Sequence, residues 1–206
     1  MFDSERCHYA PIPGTTPAPR ALFVDRWGTL LEIPERGYAE SEDEVRFLPG
    51  ALASLFRAGR AGWKIYLLGN EDAVAQGKLS PEAWAGVEGR ILSELRGAGV
   101  LLARQYACTT RPDGIPGRVG DSVFMLPNTG AFYHAVHEDG IDLPRSWVIG
   151  DSTLELVAGW RSGCRLAGVR TGLAVRDAGF LVDPELMAED LTEVIDVLLQ
   201  RAARSA

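Results

Sequence analysis

The stretch that most restricts how this chain can fold is Ala21-Leu22-Phe23-Val24-Asp25-Arg26-Trp27-Gly28-Thr29-Leu30. A short apolar run delivers a carboxylate, and a Gly-Thr step turns the chain at once. In an open α/β sheet, reactive groups sit where strands end at their carboxyl edge. Asp25 therefore reads as a nucleophile or metal ligand, carried on a loop by a rigid base. The local alternative is an Asp that caps a turn or helix.

The rest of the chain repeats the strand-then-helix rhythm. Residues 1–20 are rich in Pro, Thr and Ala and read as an extended arm, with one domain over 21–206. Residues 26–48 alternate Gly, Pro and acids and form an excursion over the sheet edge. Pro49-Gly50 precedes a helical spacing at Ala51, Leu52, Leu55 and Phe56 that ends near Gly59 or Gly62. A buried-type strand, 63–68, opens onto Gly69-Asn70-Glu71-Asp72. Ser80 caps a helix with Pro81 at its first position, and Gly97 and Gly99 stop it after Arg96. A third strand over 100–107, a helix over 131–138 and a fourth strand over 146–150 follow, the last ending on Asp151. A helix over 153–162, a strand over 165–169 and a terminal helix over 184–201 complete the set. Strands alternating with helices predict a doubly wound parallel sheet covered on both faces.

Composition removes several functions. The net charge of −7 argues against a general nucleic-acid surface. No apolar run approaches the roughly 20 residues needed to span a bilayer, and residues 1–20 show no apolar core of a secretory signal. Cys7, Cys108 and Cys164 are odd in number and far apart, so they build neither a disulfide framework nor a four-Cys zinc site. A reducing cytoplasm is the expected location.

Asp25-Arg26-Trp27-Gly28-Thr29 resembles the first motif of the haloacid dehalogenase superfamily, Asp-x-Asp-Gly-Thr. Gly150-Asp151-Ser152-x-x-Glu155 is similar to the fourth motif, with Glu at its final place; Asp151 as a helix N-cap plus a solvent-facing Glu155 is the local alternative. Gly69-Asn70-Glu71-Asp72-Ala73-Val74-Ala75-Gln76-Gly77 sits where the second motif belongs. It resembles the Thr-Asn-Gln-x-Gly run of heptose-bisphosphate and histidinol-phosphate phosphatases, with Gly for Thr and Glu for Gln; a polar turn is the local alternative. Leu126-Pro127-Asn128-Thr129-Gly130 resembles Lys-Pro-x-Pro-Gly, with Leu for Lys. Cys108 matches the first ligand of the zinc loop in those phosphatases, but the loop lacks the remaining ligands, so zinc is rejected. The resemblance implies a Rossmann-like fold without a large cap domain.

It also implies roles. Asp25 is the nucleophile position, and Trp27 stands where a second Asp serves as general acid and base. Gly69, Asn70, Glu71 and Leu126 take the substrate-binding places. Asp25, the Trp27 backbone carbonyl, Asp151 and Glu155 take the places around a magnesium ion, with room for water and phosphate. An indole exchanges no proton at neutral pH, and a positioned acid/base contributes ~10²–10⁴-fold. The expectation is therefore a degenerate site: a weak or inactive phosphatase that binds a phosphorylated small metabolite or a protein partner. One alternative is an active, magnesium-dependent phosphate-monoester hydrolase of the sugar-phosphate type, with Glu71, Asp72, Glu155 or substrate groups as the base. Another is a haloacid-dehalogenase-type hydrolase, because those enzymes carry an aromatic residue at the same place. Lys78, Arg111 and Arg118 are candidates to replace the missing Lys, and His134 and His137 share one helix face.

Overall fold

The computed structural model describes residues 17–110 and 122–204. Its elements are β1 (Ala21–Asp25), α1 (Ala51–Arg60), β2 (Lys64–Asn70), α2 (Asp72–Ala75), α3 (Pro81–Gly97), β3 (Leu102–Cys108), α4 (Gly130–Asp139), β4 (Trp147–Gly150), α5 (Thr153–Arg161), β5 (Arg165–Val169), β6 (Leu186–Ala188) and α6 (Leu191–Arg204). The six strands pair in the order β3-β2-β1-β4-β5-β6, every pair parallel. Parallel neighbours require crossovers, and here helices supply most of them, as the alternating sequence predicts.

The period of two along each strand divides the core. Leu22, Val24, Ile65, Leu67, Trp147 and Ile149 face a cluster completed by α1, α3 and α6, through residues such as Leu55, Ile91 and Leu198. Their neighbours Phe23, Tyr66, Leu68 and Val148 face a second cluster with Phe132 of α4 and Leu156 of α5. A sheet buried on both faces needs apolar side chains at successive positions, and β1 supplies them at 0% exposure from Ala21 to Val24. This is the doubly wound architecture expected, and among the described residues no large cap domain stands over it.

The carboxyl end of the chain departs from expectation. Residues 184–201 do not form one helix: Leu186–Ala188 add an edge strand beside β5, and α6 starts only at Leu191. Asp190 supplies the start signal, its Oδ1 accepting from the Glu193 N–H at 2.9 Å, while Glu193 Oε2 accepts from the Glu189 N–H at 2.7 Å. That reciprocal cap outweighs Pro184 as a start signal. The Ser80 cap behaves as predicted, its side chain accepting from Ala83 N–H at 3.1 Å. The proposed arm lies outside the described residues except for 17–20, where Pro19 accepts from the Asp142 N–H at 2.9 Å. The excursion over 26–48 holds a single 3₁₀ turn, Glu42–Glu44, and bridges Trp27 to Leu31 and Leu31 to Phe47.

Candidate active site

In the strand order, direction reverses between β1 and β4, and a doubly wound sheet opens its crevice at the carboxyl end of that junction. Asp25 ends β1, Asp151 follows β4, and Glu155 lies on the first turn of α5. One carboxylate oxygen from each lies within 4.8 Å of the others. Spacing of four brings Asp151 and Glu155 to the same side of the turn.

Local chemistry fixes all three. Ser152 caps α5, its hydroxyl accepting from the Leu154 N–H at 3.2 Å. Glu155 completes a capping box, accepting from the Ser152 N–H at 2.6 Å and the Ser152 hydroxyl at 2.5 Å. The cap is Ser152, not Asp151, and Glu155 is 3% exposed, so the alternative of a capping Asp with a solvent-facing Glu does not hold: the cap holds the carboxylate beside Asp151. Asp151 accepts from the Leu173 N–H at 2.7 Å through its side chain, and from the Val175 N–H at 2.6 Å through its carbonyl. The 171–175 loop that follows β5 is therefore a clamp on this acid. Gly28 makes room for it: with φ at 87°, any Cβ there would strike the Asp151 carboxylate. A Cβ at Gly150 would likewise strike the Glu155 side chain.

Three acids packed this closely resist ionisation together. Loss of solvent and the nearby charges of Glu155 and Asp151 raise Asp25 well above the usual carboxylate range, with Arg26 pulling the other way. Burial pushes Asp151 up to about 6 and Glu155 up to about 7. A set of hard oxygen donors short of positive charge fits a small divalent cation such as magnesium. Among the described residues it is the one group of His, Cys, Asp or Glu arranged to hold a metal, and zinc-type His and Cys ligands take no part in it.

The opposite side of the crevice is built differently. Arg26, though next to Asp25 in sequence, is 1% exposed and turned beneath the second loop. Its Nε donates to Glu71 Oε1 at 2.8 Å, and its Nη2 to the Gly69 carbonyl at 3.1 Å and the Tyr106 carbonyl at 3.3 Å. Glu71 Oε2 accepts from the indole N–H of Trp27 at 3.2 Å. Burial raises the Glu71 carboxyl, and the Arg26 charge pulls it back. Trp27 is therefore pinned in the wall of the cavity by the very residue that departs from the second-motif pattern. Asn70 brackets Leu126, donating to its carbonyl and accepting from its N–H, each at 2.9 Å. The Leu126 side chain is buried among Tyr106, Phe132 and their neighbours.

These groups line one cavity of about 410 Å³, into which Asp25, Trp27, Gly69, Asn70, Glu71, Leu126, Asp151 and Glu155 all contribute. The residues given nucleophile, metal or substrate-binding places from the sequence are thus brought together. Lys78 and Arg36 also line it; Arg36 is tied to Glu40 and Glu44, whereas Lys78 has no ion pair among the described residues. Arg111 and Arg118 lie outside the described residues. His134 packs edge-on to Tyr106 and Phe124 with its Nδ1 at 3.0 Å from the Tyr106 hydroxyl, and His137 is exposed, so the pair does not face the cavity. Cys108 is buried with its Sγ 3.6 Å from the Thr110 carbonyl. Sequence reasoning missed Arg26 and the Leu173 amide. An arginine two residues before a glycine carried its own signal only in combination with the acid at 71.

No family model matches the chain. It is 31% identical over 179 residues to the D-glycero-beta-D-manno-heptose-1,7-bisphosphate 7-phosphatase of Mesorhizobium japonicum, covering 86% of this chain and 80% of that protein. It is 29% identical over 185 residues to the corresponding phosphatase of Thermosynechococcus vestitus, covering 85% of this chain and 93% of the relative. Among solved structures, D,D-heptose 1,7-bisphosphate phosphatase from B. bronchiseptica, complexed with magnesium and phosphate, superposes with a TM-score of 0.76 at 25% identity, over 88% of this chain and 99% of that one. Fold and crevice thus define a phosphatase of the α/β, aspartate-centred kind. The chain belongs to the haloacid dehalogenase superfamily, in the subgroup of the heptose-bisphosphate phosphatases.

These findings correct the expectation of a degenerate, weak or inactive phosphatase. The Asp25, Asp151 and Glu155 cluster is intact, and a relative of the same fold has been crystallised with magnesium and phosphate. An indole at position 27 leaves the three acids in place, and its N–H is held by Glu71. No helix among the described residues is long and apolar enough to cross a membrane.

Proposed function

We propose that this protein is a magnesium-dependent phosphate-monoester hydrolase acting on a small phosphorylated metabolite in the cytoplasm. The observation that carries the reading is the trio of carboxylates within 4.8 Å at the switch point of the sheet. Asp25 is the nucleophile: its carboxylate attacks phosphorus, the ester oxygen leaves, and water later cleaves the aspartyl phosphate. Asp25, the Trp27 carbonyl and Asp151, with Glu155 beside them, would hold magnesium, which supplies positive charge to the phosphoryl oxygens. Gly69, Asn70, Glu71 and Leu126 form the substrate side. There Asn70 holds the Leu126 segment in place, and Lys78 brings positive charge to an otherwise acidic cavity.

The test is phosphate release from a panel of monoesters with and without magnesium, heptose 1,7-bisphosphate included because the relatives' names specify it. Hydrolysis that requires magnesium and vanishes in Asp25→Asn supports the reading. Phosphate release undiminished in Asp25→Asn would remove Asp25 from the chemistry.

A further inference from the structure

Position 27 holds an indole, which donates a hydrogen bond but exchanges no proton at neutral pH, and its N–H is taken up by Glu71. Of the acids that line the cavity, Asp25, Asp151 and Glu155 form the trio placed to hold the metal, and Glu71 is paired with Arg26 and accepts from Trp27. Asp72 and Lys78 are exposed at the mouth. A second, independent feature is the wall itself. With its N–H turned to Glu71, Trp27 offers the cavity carbon surface, and Tyr38, Ile33, Leu154 and Leu173 continue it. A planar ring laid against that stretch would be covered by apolar side chains.

We propose that the monoester cleaved here is an aryl phosphate, with Trp27 the residue that determines this specificity. The proposal rests on the hydrolase reading above and narrows it. An alcohol is about as weak an acid as water, whose pKa is ~15.7, so its alkoxide needs a proton as it leaves. A phenol, with a pKa of about 10, departs as a stabilised anion. The Asp25 carboxylate forms its bond to phosphorus as the bond from phosphorus to the aryl oxygen breaks. The electron pair stays on that oxygen, and the phenolate takes its proton from bulk water. Water then attacks phosphorus, the bond to Asp25 breaks, and inorganic phosphate and a proton are released, restoring the carboxylate. No step requires a proton donor at position 27.

Phenyl phosphate and benzyl phosphate test this, because they match in shape but differ in the acidity of the leaving group. Glycerol phosphate adds a leaving group that is basic and polar. In wild-type protein with magnesium, kcat/KM for phenyl phosphate should exceed that for benzyl phosphate by ~10²-fold or more, the size of a missing general acid. Glycerol phosphate should be slower still. Within substituted phenyl phosphates, the rate should fall steeply as leaving-group pKa rises. Trp27→Asp should flatten that slope and raise benzyl phosphate turnover by about tenfold or more. If that variant fails to fold, the wild-type ratio decides alone. Benzyl, glycerol or sugar phosphates cleaved as fast as phenyl phosphate would overturn the specificity and leave the hydrolase intact. Release of phosphate from none of them would overturn both.

Discussion

The two sides of the crevice are built from different kinds of constraint. On the β1–β4 side, Asp25, Asp151 and Glu155 are each fixed by backbone: a strand end, a loop amide, a helix cap. Gly28 and Gly150 are shaped to those carboxylates so closely that a methyl group would collide with them. On the β2 side, a buried ion pair and one indole hydrogen bond do the holding, from side chain to side chain. Backbone-built geometry admits few substitutions, because each change must be absorbed by the main chain. Side-chain geometry can be changed in pairs, since one partner can be refitted to another, as Trp27 and Glu71 are fitted to each other here.

Four experiments press on that contrast, the largest effect first. Asp25→Asn should lower kcat by ~10⁴-fold or more in a magnesium-dependent phosphate-release assay, because it would remove the proposed nucleophile on the backbone-built side. A loss of only a few-fold would mean that the trio is not where the reaction occurs. Glu71→Gln should destabilise the fold by about 3–5 kcal/mol in urea unfolding, because Arg26, 1% exposed, would be left buried without its counter-charge. A change within a few tenths would show that the substrate side does not depend on this pair, and the contrast would lose its basis.

Magnesium should raise the stability of the wild-type protein by about 2.7 kcal/mol at a hundredfold excess over Kd. Asp151→Asn should abolish that increment in thermal melts, even if the variant is otherwise as stable. An equal magnesium shift in the variant would place the ion elsewhere. The smallest effect is expected for Asp196→Asn, which breaks the Arg57–Asp196 pair at 2.5 Å between side chains 45% and 43% exposed. Solvent screening should hold the loss to about 1 kcal/mol or less by urea unfolding. A cost equal to that of Glu71→Gln would contradict the view that burial gives the inner pair its importance.

The parallel sheet, its strand ends and the acids on them could be read from the amino-acid order. Apolar runs of four to six residues followed by Asp25, by Asn70 and by Asp151 leave few other folds. The edge strand Leu186–Ala188 was hidden because three residues carry too little periodicity to separate a strand from the lead-in to a helix. Glu155 was read correctly as a carboxylate beside Asp151, because helical spacing fixes that relation, whereas its capping bond to Ser152 was not read.

Arg26 was another case. Its neighbour in sequence is Asp25, yet its charge is given to a residue 45 positions away. By itself, then, the order of residues settled the class of fold, through the alternation of strands and helices, and placed Asp151 beside Glu155, through one helical turn; the β1–β4 pairing brings Asp25 to them. Only the folded chain decided where Trp27 points, which acid holds it and that Arg26 is not available to the trio. Those choices depend on which side chains the β1–β2 register brings together, and burial then makes the pairing of opposite charges compulsory.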